Sequence, residues 1–200
     1  MPERRVALVT GANKGIGLEI AGQLAREGCL VLLGARDEQR GRAAAEKLRA
    51  EGLDVRPLAI DVADDRSVAA AAEAVSRDPG RLDVLVNNAG IAIDDGPPSR
   101  VSLDVVRRTY ETNVFGVVRT TQAFLPLLRR SPAGRIVNLS SGLGSLTRNS
   151  DPSMPVKFLA YNSSKTAVNA ITIQFAWELR DTPIKVNAAD PGYVATDMNR

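Results

Sequence analysis

The chain has 200 residues, 44% of them hydrophobic and 24% charged, with a formal net charge of +3. That length and balance suit one soluble α/β domain, and the interleaved charges argue against a nucleic-acid or membrane partner. Histidine is absent, which excludes Ser–His–Asp hydrolysis, Cys–His catalysis and histidine-based zinc sites. No metal is expected, and any acid–base chemistry falls to Tyr, Lys, Asp, Glu or a thiol.

The first ten residues lack the basic region, long apolar core and cleavage site of a secretory signal peptide. No apolar run approaches the roughly 20 residues of a membrane span, so a cytoplasmic protein is expected. A first strand is predicted over residues 5–10. It runs into Thr10-Gly11-Ala12-Asn13-Lys14-Gly15-Ile16-Gly17, and an amphipathic helix follows over 15–27. Gly11 permits a tight turn, Gly15 lets backbone approach a pyrophosphate, and Gly17 allows close packing of helix on sheet. The spacing is neither G-x-G-x-x-G nor a P-loop, and three glycines alone could serve only a turn. The strand–glycine–helix context makes Gly11, Asn13, Lys14, Gly15, Ile16 and Gly17 a cofactor cradle.

The single cysteine, Cys29, precedes the apolar run of the second strand, 30–35, and reads as a buried thiol. That strand ends in Gly34-Ala35-Arg36-Asp37. An acidic side chain near this end would grip the ribose of NAD, whereas Arg36 with Lys14 accommodates the 2′-phosphate of NADP(H). Asp37 could itself take a ribose, although its place suits the N-cap of a helix over 38–51 better. A third strand, 55–60, leads to Asp61 and Val62, where an adenine ring is expected. Asp61 is equally readable as a helix-start carboxylate, since Asp64 and Asp65 follow before a helix over 66–77.

The fourth strand, 84–87, precedes Asn87-Asn88-Ala89-Gly90, and residues 94–99 read as a loop. A long helical pattern spans 103–130 and contains Asn113, with Pro126 expected to kink or end it. The fifth strand, 135–139, precedes Ser140-Ser141, and 142–155 reads as a second loop. A helix over 160–180 opens with Tyr161-Asn-Ser-Ser-Lys165. The sixth strand, 184–188, precedes Pro191-Gly192-Tyr193-Val194-Ala195-Thr196. The strand runs look apolar on both faces, so six strands and five crossover helices predict a doubly wound parallel sheet, the Rossmann fold, in three α/β/α layers.

Tyr161 and Lys165 share a helix face at i,i+4. A free tyrosine titrates near pH 10, and a neighbouring ammonium favours its phenolate. Alone, this pair could equally be a half-buried tyrosine beside a snorkelling lysine.

With the glycine loop, Asn87–Gly90, Asn113, Ser140-Ser141 and Pro191–Thr196 in this order, the chain strongly resembles the classical short-chain dehydrogenase/reductase family over essentially its whole length. The motifs Gly-Ala-Asn-Lys-Gly-Ile-Gly and Gly-Ala-Arg-Asp, and the extended segment between Ser141 and Tyr161, are similar to carbonyl-reductase-like members. The resemblance implies that Tyr161 exchanges a proton with the carbonyl or alcohol oxygen of a small substrate. It further implies that Lys165 lowers the tyrosine pKa and bonds the nicotinamide ribose, that Ser141 donates to the substrate oxygen, and that Asn113 holds a relay water. Among Ser140, Ser141 and Ser145, the second serine after the strand fits the family pattern best. Asn88, Ala89 and Gly90 would line the cofactor, and Pro191, Gly192, Val194 and Thr196 would contact its nicotinamide end.

Family members usually continue with a helical substrate loop, a seventh strand and a closing segment. The resemblance therefore implies one domain over 1–200, incomplete at its C-terminal end, with the sixth strand's outer edge uncovered. The long 142–160 stretch precedes a helix that many relatives use for dimerisation, so the expected state is open between monomer and homo-oligomer, with the insertion favouring a monomer. Besides a carbonyl reductase, a reductase dedicated to ketoacyl or polyketide substrates and a catalytically silent nucleotide sensor on the same fold remain as readings.

Overall fold

Short runs of branched apolar residues form strands because the crossover helices cover both faces of the sheet they make. The computed structural model describes residues 4–154 and 157–194. Its strands are β1 (Val6–Val9), β2 (Leu30–Ala35), β3 (Val55–Ala59), β4 (Val84–Asn87), β5 (Arg135–Leu139) and β6 (Lys185–Ala189). They make one six-stranded sheet in the order β3-β2-β1-β4-β5-β6, and every neighbouring pair is parallel. This is the doubly wound Rossmann arrangement expected from the alternating pattern.

The period of two along each strand divides the core. Val6, Leu8, Leu30 and Leu32 point into one layer with Val68, Val75, Phe124 and Leu128, on helices α3 (Asp65–Arg77) and α5 (Gly116–Leu128). Ala7, Val9, Val31 and Leu33 point into the other, against Ala21 and Ala25 of α1 (Gly15–Arg26) and Ala44, Ala45 and Leu48 of α2 (Glu38–Ala50). β1 and β2 are buried throughout. Among the described strands β3 and β6 lie at the sheet edges, where Arg56, Lys185 and Asn187 are exposed, so the expectation of two apolar faces fails there.

The long pattern predicted over 103–130 is divided. α4 (Leu103–Tyr110) passes through a π-helical turn (Glu111–Phe115) into α5, and Pro126 is tolerated inside the last turn of α5. The stretch predicted as a loop over 142–155 contains a 3₁₀ turn (Gly142–Gly144) and a short helix, α6 (Leu146–Ser150), whose N-cap Ser145 accepts from Arg148 N. α7 (Leu159–Glu178) then carries the Tyr161–Lys165 pair. No helix among the described residues is long and apolar enough to cross a membrane.

The chain reverses its direction of strand addition at β1, whose neighbours are β2 on one side and β4 on the other. Ligands of open α/β sheets bind beyond the carboxyl ends of strands at such a switch point.

Candidate active site

Beyond β1, Gly11 takes φ +62° and Gly15 φ +57°, conformations that favour glycine. A Cβ on Gly11 would lie 2.9 Å from Ala89 Cα, and one on Gly17 would lie 2.7 Å from Gly11 O. The loop after β1 and the loop after β4 are thus pressed together. Thr10 joins them: its hydroxyl accepts from Asn88 N and Ala89 N, both at 3.1 Å, while Asn88 Nδ2 donates to Thr10 O at 2.8 Å.

A cavity of about 690 Å³ opens over this junction. Gly11, Asn13, Lys14, Gly15, Ile16 and Gly17 line one part, with Arg36 beside them. Asp37 does not line it; its carboxylate caps α2, accepting from Arg40 N at 3.0 Å. Both readings of Asp61 find support: it lines the cavity with Val62, and its Oδ1 accepts from Ala63 N at 3.0 Å just before α3, whose N-cap is Asp64, accepting from Ser67 N at 2.6 Å. Asn88, Ala89 and Gly90 line it too, as do Tyr161, Lys165 and Pro191.

Lys165 is 5% exposed, and its Nζ donates to Leu139 O at 2.7 Å. Burial pulls its pKa down to about 8. The ammonium lies 5.6 Å from the centre of the Tyr161 ring. The Tyr161 phenol is pushed above its ordinary value, chiefly by burial; the hydrogen bond with the Ser141 hydroxyl opposes that, and the Asp190 carboxylate adds to it. Lys165 is not among these influences. The lowering of the tyrosine expected from the i,i+4 pair is therefore absent in this geometry, and desolvation of the phenolate dominates.

The neighbouring serines have different tasks. Ser140 donates to Asn169 Oδ1 at 2.6 Å, which ties β5 to α7, and Ser145 caps α6. Ser141 faces Tyr161. Asn113 sits in the π-helical turn at 1% exposure. Its Oδ1 accepts from Ile91 N at 2.8 Å, and its Nδ2 donates to Ile91 O at 2.9 Å and Ser164 Oγ at 3.0 Å. Both amide protons are committed, so this side chain braces the cavity wall against α7 and is not itself part of the lining.

The family pattern described as short chain dehydrogenase matches residues 5–200. The chain belongs to the short-chain dehydrogenase family. This short-chain dehydrogenase is 37% identical over 237 residues to carbonyl reductase [NADPH] 3 of Mus musculus, covering 98% of the chain and 84% of the relative. Among solved structures it resembles a gluconate 5-dehydrogenase of Burkholderia cenocepacia in complex with NADP and tartrate, with a TM-score of 0.88 and 31% identity over 98% of this chain and 74% of that one. It also resembles an actinorhodin polyketide ketoreductase with NADPH, with a TM-score of 0.88 and 37% identity over 98% of this chain and 72% of that one. The chain is thus an oxidoreductase by family, and carbonyl-reductase-like within it.

Not every expected residue of this short-chain dehydrogenase meets at the cavity. Ser141, Gly192 and Val194 lie outside its lining, in which Ser140 stands instead of its neighbour, and Thr196 falls outside the described residues. Conversely, Ile60, Ile91, Ala92, Ile93, Thr112 and Leu139 line the cavity without having been singled out. Ile60 and Leu139 end strands, so their sequence signal is that of core. Ile91–Ile93 carry a usable one, an apolar run directly after the Asn88–Gly90 motif in a segment with neither helical nor strand spacing.

Proposed function

We propose that this short-chain dehydrogenase transfers a hydride between NADP(H) and the carbonyl or secondary-alcohol carbon of a small substrate, with Tyr161 as its acid–base group. The observation that carries the reading is one cleft whose wall holds Lys14 and Arg36 together with Tyr161 and the buried Lys165.

The cradle fits a dinucleotide. Gly11 and Gly17 stand where side chains would collide with the opposing loop, Gly15 takes a positive φ, and the start of α1 suits an anion. Lys14 and Arg36 would hold the 2′-phosphate, Gly11–Gly17 the pyrophosphate, and Asp61 with Val62 the adenine. Asn88, Ala89, Gly90, Pro191, Gly192, Val194 and Thr196 would complete the nicotinamide side, with Lys165 on its ribose. When bound, the cofactor supplies the hydride.

Tyr161, a phenol protonated at neutral pH, carries the proton that the carbonyl oxygen takes up, and burial makes that proton harder to release than an ordinary tyrosine's. Ser141 donates a second hydrogen bond to the same oxygen, so two hydroxyls meet the charge that develops there. Asn113, whose side chain braces Ile91 against α7, would contribute to the relay through what it orders around Tyr161. Residues 1–200 would act as one dinucleotide-binding domain.

Likeness to the actinorhodin polyketide ketoreductase, at 37% identity, supports a second reading in which the carbonyl belongs to a ketoacyl chain. A silent nucleotide sensor would have no use for Ser141, Tyr161 and Lys165 together. The test is a titration of NADPH and NADH by cofactor fluorescence, followed by turnover on simple ketones and on a ketoacyl thioester. NADPH should bind at least ~10-fold tighter than NADH, in line with two charge-assisted contacts. Tyr161→Phe should keep NADPH binding and lose turnover by ~10²-fold or more. Equal affinity for both cofactors, or a Tyr161→Phe variant as fast as the parent, would overturn the assignment.

A further inference from the structure

The helix that carries Tyr161 and Lys165 starts without a cap of its own. Its flanking residue is Phe158, with no side-chain cap, and no acidic residue occupies its first turn. By contrast α2, α3 and α4 are each capped by the side chain immediately before them, Asp37, Asp64 and Ser102.

The amides of α7 are satisfied from a distant loop. Asp94 Oδ1 accepts from Ala160 N at 2.7 Å, and Asp94 Oδ2 accepts from Tyr161 N at 3.0 Å. Asp94 follows directly on Ile91, Ala92 and Ile93, which line the cavity. One carboxylate therefore joins the cavity wall to the backbone of the acid–base residue itself.

We propose that Asp94 is a positioning residue for Tyr161: it ties the first turn of α7 to the 91–93 wall and so sets where the phenol stands relative to the cofactor-lining loop. The proposal rests on the reading of Tyr161 as the acid–base group. First turns are where helices fray, because their amides lack partners within the helix. A residue at the 158 position could satisfy those amides too. It could not bind them to the opposite wall. Both oxygens of Asp94 are used, each in a charge-assisted bond favoured by the helix dipole.

That difference between cap and tether gives the test. Asp94→Ala and Asp94→Asn would be compared with the double variant Asp94→Ala/Phe158→Asp, which supplies a local cap but no tether. The measurements are amide exchange at Ala160 and Tyr161, the ring NMR resonances of Tyr161, melting temperature, NADPH affinity and kcat. Asp94→Ala should lose protection at both amides, shift the Tyr161 resonances and lower kcat by ~10-fold or more, as a small misplacement of a reacting group does. NADPH affinity should stay within ~2-fold, since none of the cradle is touched. Asp94→Asn, which keeps one acceptor, should fall between. The double variant should recover protection and melting temperature while the Tyr161 resonances and kcat stay displaced.

Recovery of kcat and resonances in the double variant would reduce Asp94 to a cap, and parental behaviour of Asp94→Ala would overturn the proposal outright. If the parent turns over no ketone while Asp94→Ala still shifts the Tyr161 resonances and Phe158→Asp does not restore them, the functional reading fails and the tether stands.

Discussion

The Tyr161–Lys165 pair shows how burial and charge compete within one helical turn. Lys165 loses water on entering the site and is compensated by a single carbonyl, so its pKa falls from the usual lysine range to about 8. The unfolded chain keeps that proton up to about pH 10.5, so between those values the unfolded state binds more protons and stability rises with pH. Below about pH 8 the full cost of burying the ammonium is present. In a Tyr161→Phe background, which removes the neighbouring phenol, the chain with Lys165 should therefore gain on its Lys165→Met counterpart by ~2 kcal/mol between pH 7 and pH 10. Urea unfolding at the two pH values checks this, and a constant difference would mean that the amine is not perturbed by the fold. Residue types and spacing made Tyr161, Lys165, Ser141 and Asn113 legible in the sequence. The sign of the tyrosine shift was not legible, because it depends on how much water the fold removes from the phenol and on Asp190, which the chain brings from beyond β6.

At the scale of elements, the site depends on interruptions in regular structure. The π-helical turn places Asn113 where one side chain can pair with both backbone groups of Ile91 and reach Ser164 on α7. Such turns recur at functional sites because the extra residue re-aims a side chain. The apolar pattern continues on both sides of it, which is why the sequence reads as one helix. The 3₁₀ turn after β5 presses equally closely on α7. A Cβ at Gly144 would lie 2.8 Å from the Lys165 carbonyl carbon and 2.9 Å from its oxygen, both backbone atoms that cannot swing aside. Gly144→Ala should cost ~1–3 kcal/mol by denaturant unfolding and reduce turnover with it. At Gly96 the nearest atom would be 3.7 Å away, so Gly96→Ala is the control that should change neither. A Gly144→Ala variant as stable as the control would show that the turn can move off α7 freely.

Across the whole molecule, two cores share one sheet, and the cleft lies at the carboxyl ends of its strands, away from the larger of the buried side chains. Phe124 on α5 is fully buried against β4 and β5 neighbours such as Leu85 and Ile136. Phe124→Ala should destabilise the fold by ~3–5 kcal/mol. Affinity for NADPH per folded molecule should hardly change, because among the described residues of that layer Ile60 alone reaches the cavity wall. Denaturant unfolding together with cofactor fluorescence separates the two, and a loss of affinity without a loss of stability would contradict the division into scaffold and site.

The sequence by itself marked the alternation of strand and helix, the glycine turn after β1, the cations Lys14 and Arg36, and the Tyr161–Lys165 pair proposed here for the acid–base role. These follow from local stereochemistry and from periods of two and 3.6 residues, which neighbouring residues carry among themselves. Only the tertiary structure decided which carboxylate caps a helix and which faces the cavity, as with Asp64 and Asp61. It alone gave Ile91–Ile93 a place on the wall, set Ser141 against Tyr161, and brought Asp94 to the start of α7. Those contacts join residues far apart in the chain, and no local preference encodes the position of a partner that only the folding of the sheet supplies.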